Sequence, residues 1–94
     1  MAAYLLGQIK VRNEKLWDQY LAGVAESLVP FNARMKLMGK KTANLVGDDG
    51  NDRLVMLEFI DEPTVQRWFQ SDCYNRLVPL RERAADVVIS SYCA

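Results

Sequence analysis

The stretch that decides the fold is LVMLEFI, Leu54–Ile60. It alternates as a β-strand does. Val55, Leu57 and Phe59 form one face; Leu54, Met56 and Ile60 form the other, with Glu58 among them. A strand that is apolar on both faces is central in its sheet and covered on both sides. The elements around it therefore have to supply neighbouring strands, a helical layer for one face, and cover for the other.

Working outward toward the N-terminus, GDDGND, Gly47–Asp52, is a turn signal. KKTANLVG before it reads either as a continuation of a strand across a bulge or as a short strand of its own. Arg34–Gly39 alternates as a strand, with Met35 and Leu37 on one side and Arg34, Lys36 and Met38 on the other. Pro30 stops a helix whose apolar stripe is Leu16, Trp17, Tyr20, Leu21, Val24 and Leu28, and Asn13 is positioned to cap it. Ala3–Val11 is the first strand, with Leu5, Gly7, Ile9 and Val11 on one face and Tyr4, Leu6, Gln8 and Lys10 on the other.

Toward the C-terminus, Asp61 caps a helix that tolerates Pro63 in its first turn and buries Val65, Trp68 and Phe69. RWFQSDCYNRLVPLRERAAD, Arg67–Asp86, interrupts that helix at Ser71 and Asp72, either of which can cap a second segment running to about Ala85. Pro79 inside the segment predicts a kink. Val87–Tyr92 is the last strand. The order is β-α-β-β-α-β. With right-handed crossovers it gives a ferredoxin-like α+β fold, an antiparallel sheet with both helices on one face.

Ninety-four residues set the expectation of a single domain, residues 1–94. Lysine plus arginine equals aspartate plus glutamate, 12 against 12, so no basic face is implied and nucleic acid is not an expected partner. No run is apolar for the ~18 residues of a membrane span, and MAAYLLGQIKVR does not read as a signal peptide: its apolar run is short, no basic region precedes it, and it alternates as a strand does. The two cysteines, Cys73 and Cys93, read as free thiols in a reducing cytoplasm. Histidine is absent, which excludes a Ser-His-Asp triad, a Cys-His pair and imidazole ligation within this chain. GDDGND lacks the spacing and terminal glutamate of an EF-hand. No metal and no cofactor are expected.

Helices on one face leave the other open, and that face would carry Tyr4, Leu6, Met38, Leu54, Met56 and Ile60. Such a patch marks an interface, and the simple occupant is a second copy in a two-fold homodimer.

YLLGQIKVRNEKLWDQY, NDRLVMLEF, WFQSDCY and LVPLRERAAD, in this order over essentially the whole chain, resemble the short proteins of unknown function in the dimeric α/β-barrel superfamily. FNAR, Phe31–Arg34, and the pair Asp72-Cys73 depart from that pattern. The resemblance implies a homodimer whose two sheets form a barrel and a cleft in each protomer between sheet and helices. It implies no substrate: the wider superfamily includes cofactor-free monooxygenases of quinol-like compounds, lactone isomerases and haem enzymes, one scaffold with several chemistries.

The candidate pocket is Arg34, Glu58, Trp68, Tyr74 and Arg81. A carboxylate among the apolar residues of a central strand is costly unless paired, and Arg34 or Arg81 can pair it. Glu58 is then either a general base or half of a structural ion pair. Trp68 and Tyr74 flank the helix break and either line a pocket for a flat organic ligand or fill the core. Of Arg76, Arg81 and Arg83, Arg81 is kept because the resemblance includes it. Ser71 is a cap, having no histidine to activate it. Three functions follow: a small-molecule binding protein, a cofactor-independent oxygenase or isomerase using Glu58 and Tyr74, and a structural dimer without a ligand.

Overall fold

A computed structural model describes residues Met1–Ala94. Strand β1, Ala3–Val11, is followed by helix α1, Glu14–Leu28, and strand β2, Arg34–Lys40. Strand β3, Arg53–Phe59, is followed by helices α2, Glu62–Phe69, α3, Asp72–Asn75, and α4, Val78–Ala84, and by strand β4, Ala85–Cys93. The four strands form one sheet in the order β2-β3-β1-β4, and every neighbouring pair is antiparallel. This is the ferredoxin-like α+β arrangement, with the helices on one face.

Strand parity places the core. Ala3, Leu5, Ile9, Val55, Leu57 and Phe59 are buried beneath the helices, against Trp17, Tyr20, Val24 and Leu28 of α1 and Val65 and Trp68 of α2. The caps are local and follow from side-chain chemistry. Asn13 Oδ1 accepts from Leu16 N, Asp61 Oδ1 from Thr64 N, and Ser71 Oγ from Tyr74 N, each satisfying a first-turn amide that the helix itself leaves unpaired. Gly23 lets α1 and the start of α4 approach: a Cβ there would lie 2.4 Å from Leu77 Cδ2.

Three expectations are corrected. First, Pro79 kinks nothing. The chain leaves helical bonding at Leu77, and Pro79 falls in the first turn of the separate helix α4, where its missing amide has no partner to lose. Second, β2 carries a bulge. Met35 pairs with Leu57, but Leu37 pairs with Met56, so Lys36 is the extra residue. The shift turns Leu37 to the open face and takes Met38 off it, reversing the simple alternation. Ile60 lies beyond the end of β3. Third, KKTANLVG makes no strand of its own. Beyond Lys40 the chain is an irregular loop, residues 41–52, closed by a bond from Lys41 N to Asp52 O.

The open face is therefore Tyr4, Leu6, Leu37, Leu54, Met56, Val88 and Tyr92, with Gln8, Lys10, Arg34, Lys36 and Glu58 among them. No helix is long and apolar enough to cross a membrane.

Candidate functional site

The five residues singled out in the sequence are divided between the two sides of the sheet. Trp68, Tyr74 and Arg81 come together on the helical side; Arg34 and Glu58 come together on the open face. Parity is the reason, because Glu58 stands between Leu57 and Phe59, whose side chains point at the helices.

On the helical side, Ser71 interrupts the chain so that α3 turns the Tyr74 ring back against α2. Trp68 and Tyr74 are both fully buried with ring centroids 4.3 Å apart, and Phe59 lies 5.5 Å from Trp68. Trp68 Nε1 donates to Ser27 Oγ at 2.9 Å, and Ser27 Oγ donates to Val24 O at 2.7 Å. The hydroxyls of Tyr74 and Tyr20 are 2.9 Å apart, and Arg81 Nη1 donates to the Tyr74 oxygen at 2.7 Å. Burial, then the neighbouring Tyr74 phenol, pushes the Tyr20 hydroxyl far above its ordinary range, so it is a neutral phenol at any physiological pH. Partial desolvation works against the charge of the Arg81 guanidinium, and the hydrogen bond it donates to Tyr74 outweighs that and keeps it charged.

Beside this network lies a cavity of about 30 Å³ between sheet and helices. Gly7 forms part of its floor, Leu5, Ile9, Val55 and Leu57 continue the sheet wall, and Trp17 and Tyr20 hang over it. A second hollow of about 170 Å³ lies between α2 and β4, and Leu5 and Ile89 line both. No buried side-chain nitrogen or oxygen lacks a hydrogen-bond partner. The walls can therefore enclose an apolar group but offer no free charge.

On the open face, Glu58 accepts from Arg34 Nη2 at 2.9 Å and from the Tyr4 hydroxyl at 3.1 Å, and Lys36 Nζ stands 3.9 Å away. Arg34 lies directly opposite Glu58 in the strand register, and Lys36, two residues on, reaches the same side. The Arg34 and Tyr4 hydrogen bonds hold the Glu58 carboxyl below the usual carboxylate range, and the same bond raises the Tyr4 phenol. A depressed value makes Glu58 a poor general base near neutrality. It also sets a pH dependence: the unfolded carboxyl, at about 4.3, binds protons that the folded one refuses, so its contribution is complete above that value and is lost as pH falls through the folded one. The expected result is a urea midpoint that falls between about pH 5 and 3, with Glu58→Gln removing part of the fall. The rest remains, since the Asp61 cap is lowered by its Thr64 hydrogen bonds and Asp49 is lowered to about 2 by Lys41.

Sequence reasoning missed Tyr20, Ser27, Gly7, Tyr4 and Lys36 as parts of these two sites. Gly7 carried a signal, a glycine in a strand interior. The hydroxyl of Tyr20 on an otherwise apolar stripe was another. Cys73 and Cys93 are free and exposed. No three Cys, Asp or Glu side chains are grouped to hold a metal.

A helix-covered antiparallel sheet with an open apolar face and a small cleft under its helices defines a ferredoxin-like α+β protein. The chain belongs to the family described as Domain of unknown function (DUF1330), whose model matches residues 2–91. Solved structures with the same fold include a protein of unknown function from Rhodopseudomonas palustris, with a TM-score of 0.83 and 13% identity over 97% of this chain and 80% of that one. SnoaB, a cofactor-independent oxygenase from Streptomyces nogalater, gives 0.74 and 8% over 99% and 92%. A dimeric ferredoxin-like protein of unknown function from Jannaschia sp. CCS1 gives 0.73 and 11% over 100% of both chains. At these identities the likeness concerns the fold alone. A comparison with curated protein sequences found no match.

Proposed function

We propose that this protein is a one-domain cytoplasmic homodimer, formed by pairing the open sheet faces of two copies, and that each copy binds a small, uncharged, largely apolar organic molecule between sheet and helices. The observation that carries the reading is the apolar cavity floored by Gly7. A glycine at an interior strand position gives up side-chain packing, which makes sense where something else approaches the backbone. The reading needs neither metal nor cofactor.

The cavity by itself holds about two waters, whereas a benzene ring needs about 150 Å³. The ligand therefore extends past Leu5 and Ile89 into the hollow beneath α2, and those two side chains change rotamer when it enters. Binding rather than catalysis is supported by the separation of Glu58 from Tyr74: with the sheet between them they cannot act on one substrate. The fold shared with the cofactor-independent oxygenase keeps the enzyme alternative in view but supplies no residues for it.

The experiment is native mass spectrometry of the protein taken from its own cell extract, beside a Gly7→Val variant. A Cβ at residue 7 meets only Ile9 Cδ1, at 3.5 Å, and valine favours strands, so the strand accepts the change, and circular dichroism checks the variant's fold before its mass is read. The expected result is extra mass on the wild type that is absent from Gly7→Val. Each protein showing only the mass of its own bare polypeptide would overturn the ligand and leave a structural dimer.

A further inference from the structure

We propose that the loop of residues 41–52 is an arm that grips a second copy of this chain, seating Leu45 and Val46 on the rim of the partner's open sheet face. The inference rests on the sheet-to-sheet dimer proposed above and adds a contact which that dimer does not require.

Loops of about a dozen residues without regular structure are uncommon in small domains and are usually functional. This one is held in shape. Lys41 N donates to Asp52 O at 2.7 Å, and Asp52 N donates to Ile9 O at 2.7 Å, which ties the base of the loop to β1. Lys41 Nζ pairs with Asp49 Oδ1 at 2.8 Å. Asp48 and Asp49 accept from Gly50 N and Asn51 N in consecutive turns. Gly47 and Gly50, at φ of 72° and 77°, supply the backbone those turns need. These bonds brace the base and the returning limb, and the tip between them carries Leu45 and Val46 with 94% and 97% of their surface in water. Two adjacent aliphatic side chains wholly in water at the tip of a loop anchored at its base mark a contact surface.

Two observations identify the partner as a second copy. The first is continuity. The base of the arm and the open face form one concave surface, a hollow of about 430 Å³ in which Gln8, Leu37 and Leu54 of the sheet meet Thr42 and Ala43 of the loop. Whatever covers the sheet meets the arm. The second is charge. The loop holds one lysine against three aspartates, Lys41 against Asp48, Asp49 and Asp52. The open face holds Lys10, Arg34 and Lys36 against Glu58 and Asp86. Arm and face attract, while two arms repel, so each arm settles on the other copy's sheet and not against the other arm. Two-fold symmetry makes the contact reciprocal, so the arm engages twice per dimer.

The test is the dimer dissociation constant, by sedimentation equilibrium, of wild type and a Leu45→Ser/Val46→Ser variant. Both side chains are exposed in the single chain, so the change leaves its folding intact. Four aliphatic side chains leave the dimer interface, and the expected weakening is about 30-fold or more. An unchanged constant in the double variant, with Met56→Asp dissociating the dimer, would overturn the arm while the sheet pairing stands. A wild type that is monomeric at about 50 µM, a concentration at which a specific dimer is well populated, would overturn both.

Discussion

Met56→Asp is expected to turn a dimer of the 10.7 kDa chain into a folded monomer. Met56 pairs across the sheet with Leu6 on one side and Leu37 on the other, at the centre of the open face. Two-fold pairing would place two new carboxylates in the middle of the interface, where the neighbouring cation, Lys36 of the bulge, already faces Glu58 at 3.9 Å. An uncompensated buried charge costs about 3–5 kcal/mol, so two of them weaken association by more than about a thousandfold. The side chain is only partly buried within one chain, so the isolated protomer keeps its fold. Sedimentation velocity at increasing concentration reads the mass, and circular dichroism reads the fold. A variant that sediments as a dimer would move the interface away from this face.

Trp68→Ala is the second large effect, and it falls on stability. The indole is fully buried, packs on Phe59 and Tyr74, and donates to Ser27. Removing it costs about 3–5 kcal/mol, a large part of the roughly 5–15 kcal/mol of a small domain. At about 4–8 °C per kcal/mol for a chain of this size, the melting temperature falls by tens of degrees. Phe69→Ala is the contrast: that ring is partly exposed, and its loss costs much less. A small loss at Trp68 would mean that the helical layer packs loosely there and that the aromatic cluster is a site wall and not core.

The strands and caps were legible because their signals are local. Alternation in Leu54–Ile60 and Ala3–Val11 assigned core and open face by parity, and Asn13, Asp61 and Ser71 cap as their side chains dictate. The same parity already separated Glu58 from Trp68. Treating the two as one pocket followed from charge cost and resemblance, where counting residues along β3 would have divided them. The bulge at Lys36 was not legible, because it is fixed by pairing with β3 and no residue type announces it. Pro79 was misplaced for a related reason: the pattern shows a proline in an apolar stripe, but whether a helix bends there or begins there depends on how α3 ends. The small cleft arises only when α1 and β4 close over Gly7, a tertiary fact.

The extra residue in β2 has one more consequence. It sets a phase: before Lys36 the strand counts residues one way, after it the other. Deleting Lys36 would remove the bulge and leave Leu37 opposite Met56, whereas pairing Lys36 as an ordinary strand residue would exchange Leu37 for Met38 on the open face and carry Gly39 and Lys40 across with them. Whether β2 takes up its extra residue as a bulge or as a pairing residue thus decides which side chains it turns outward, a choice that neither composition nor charge records.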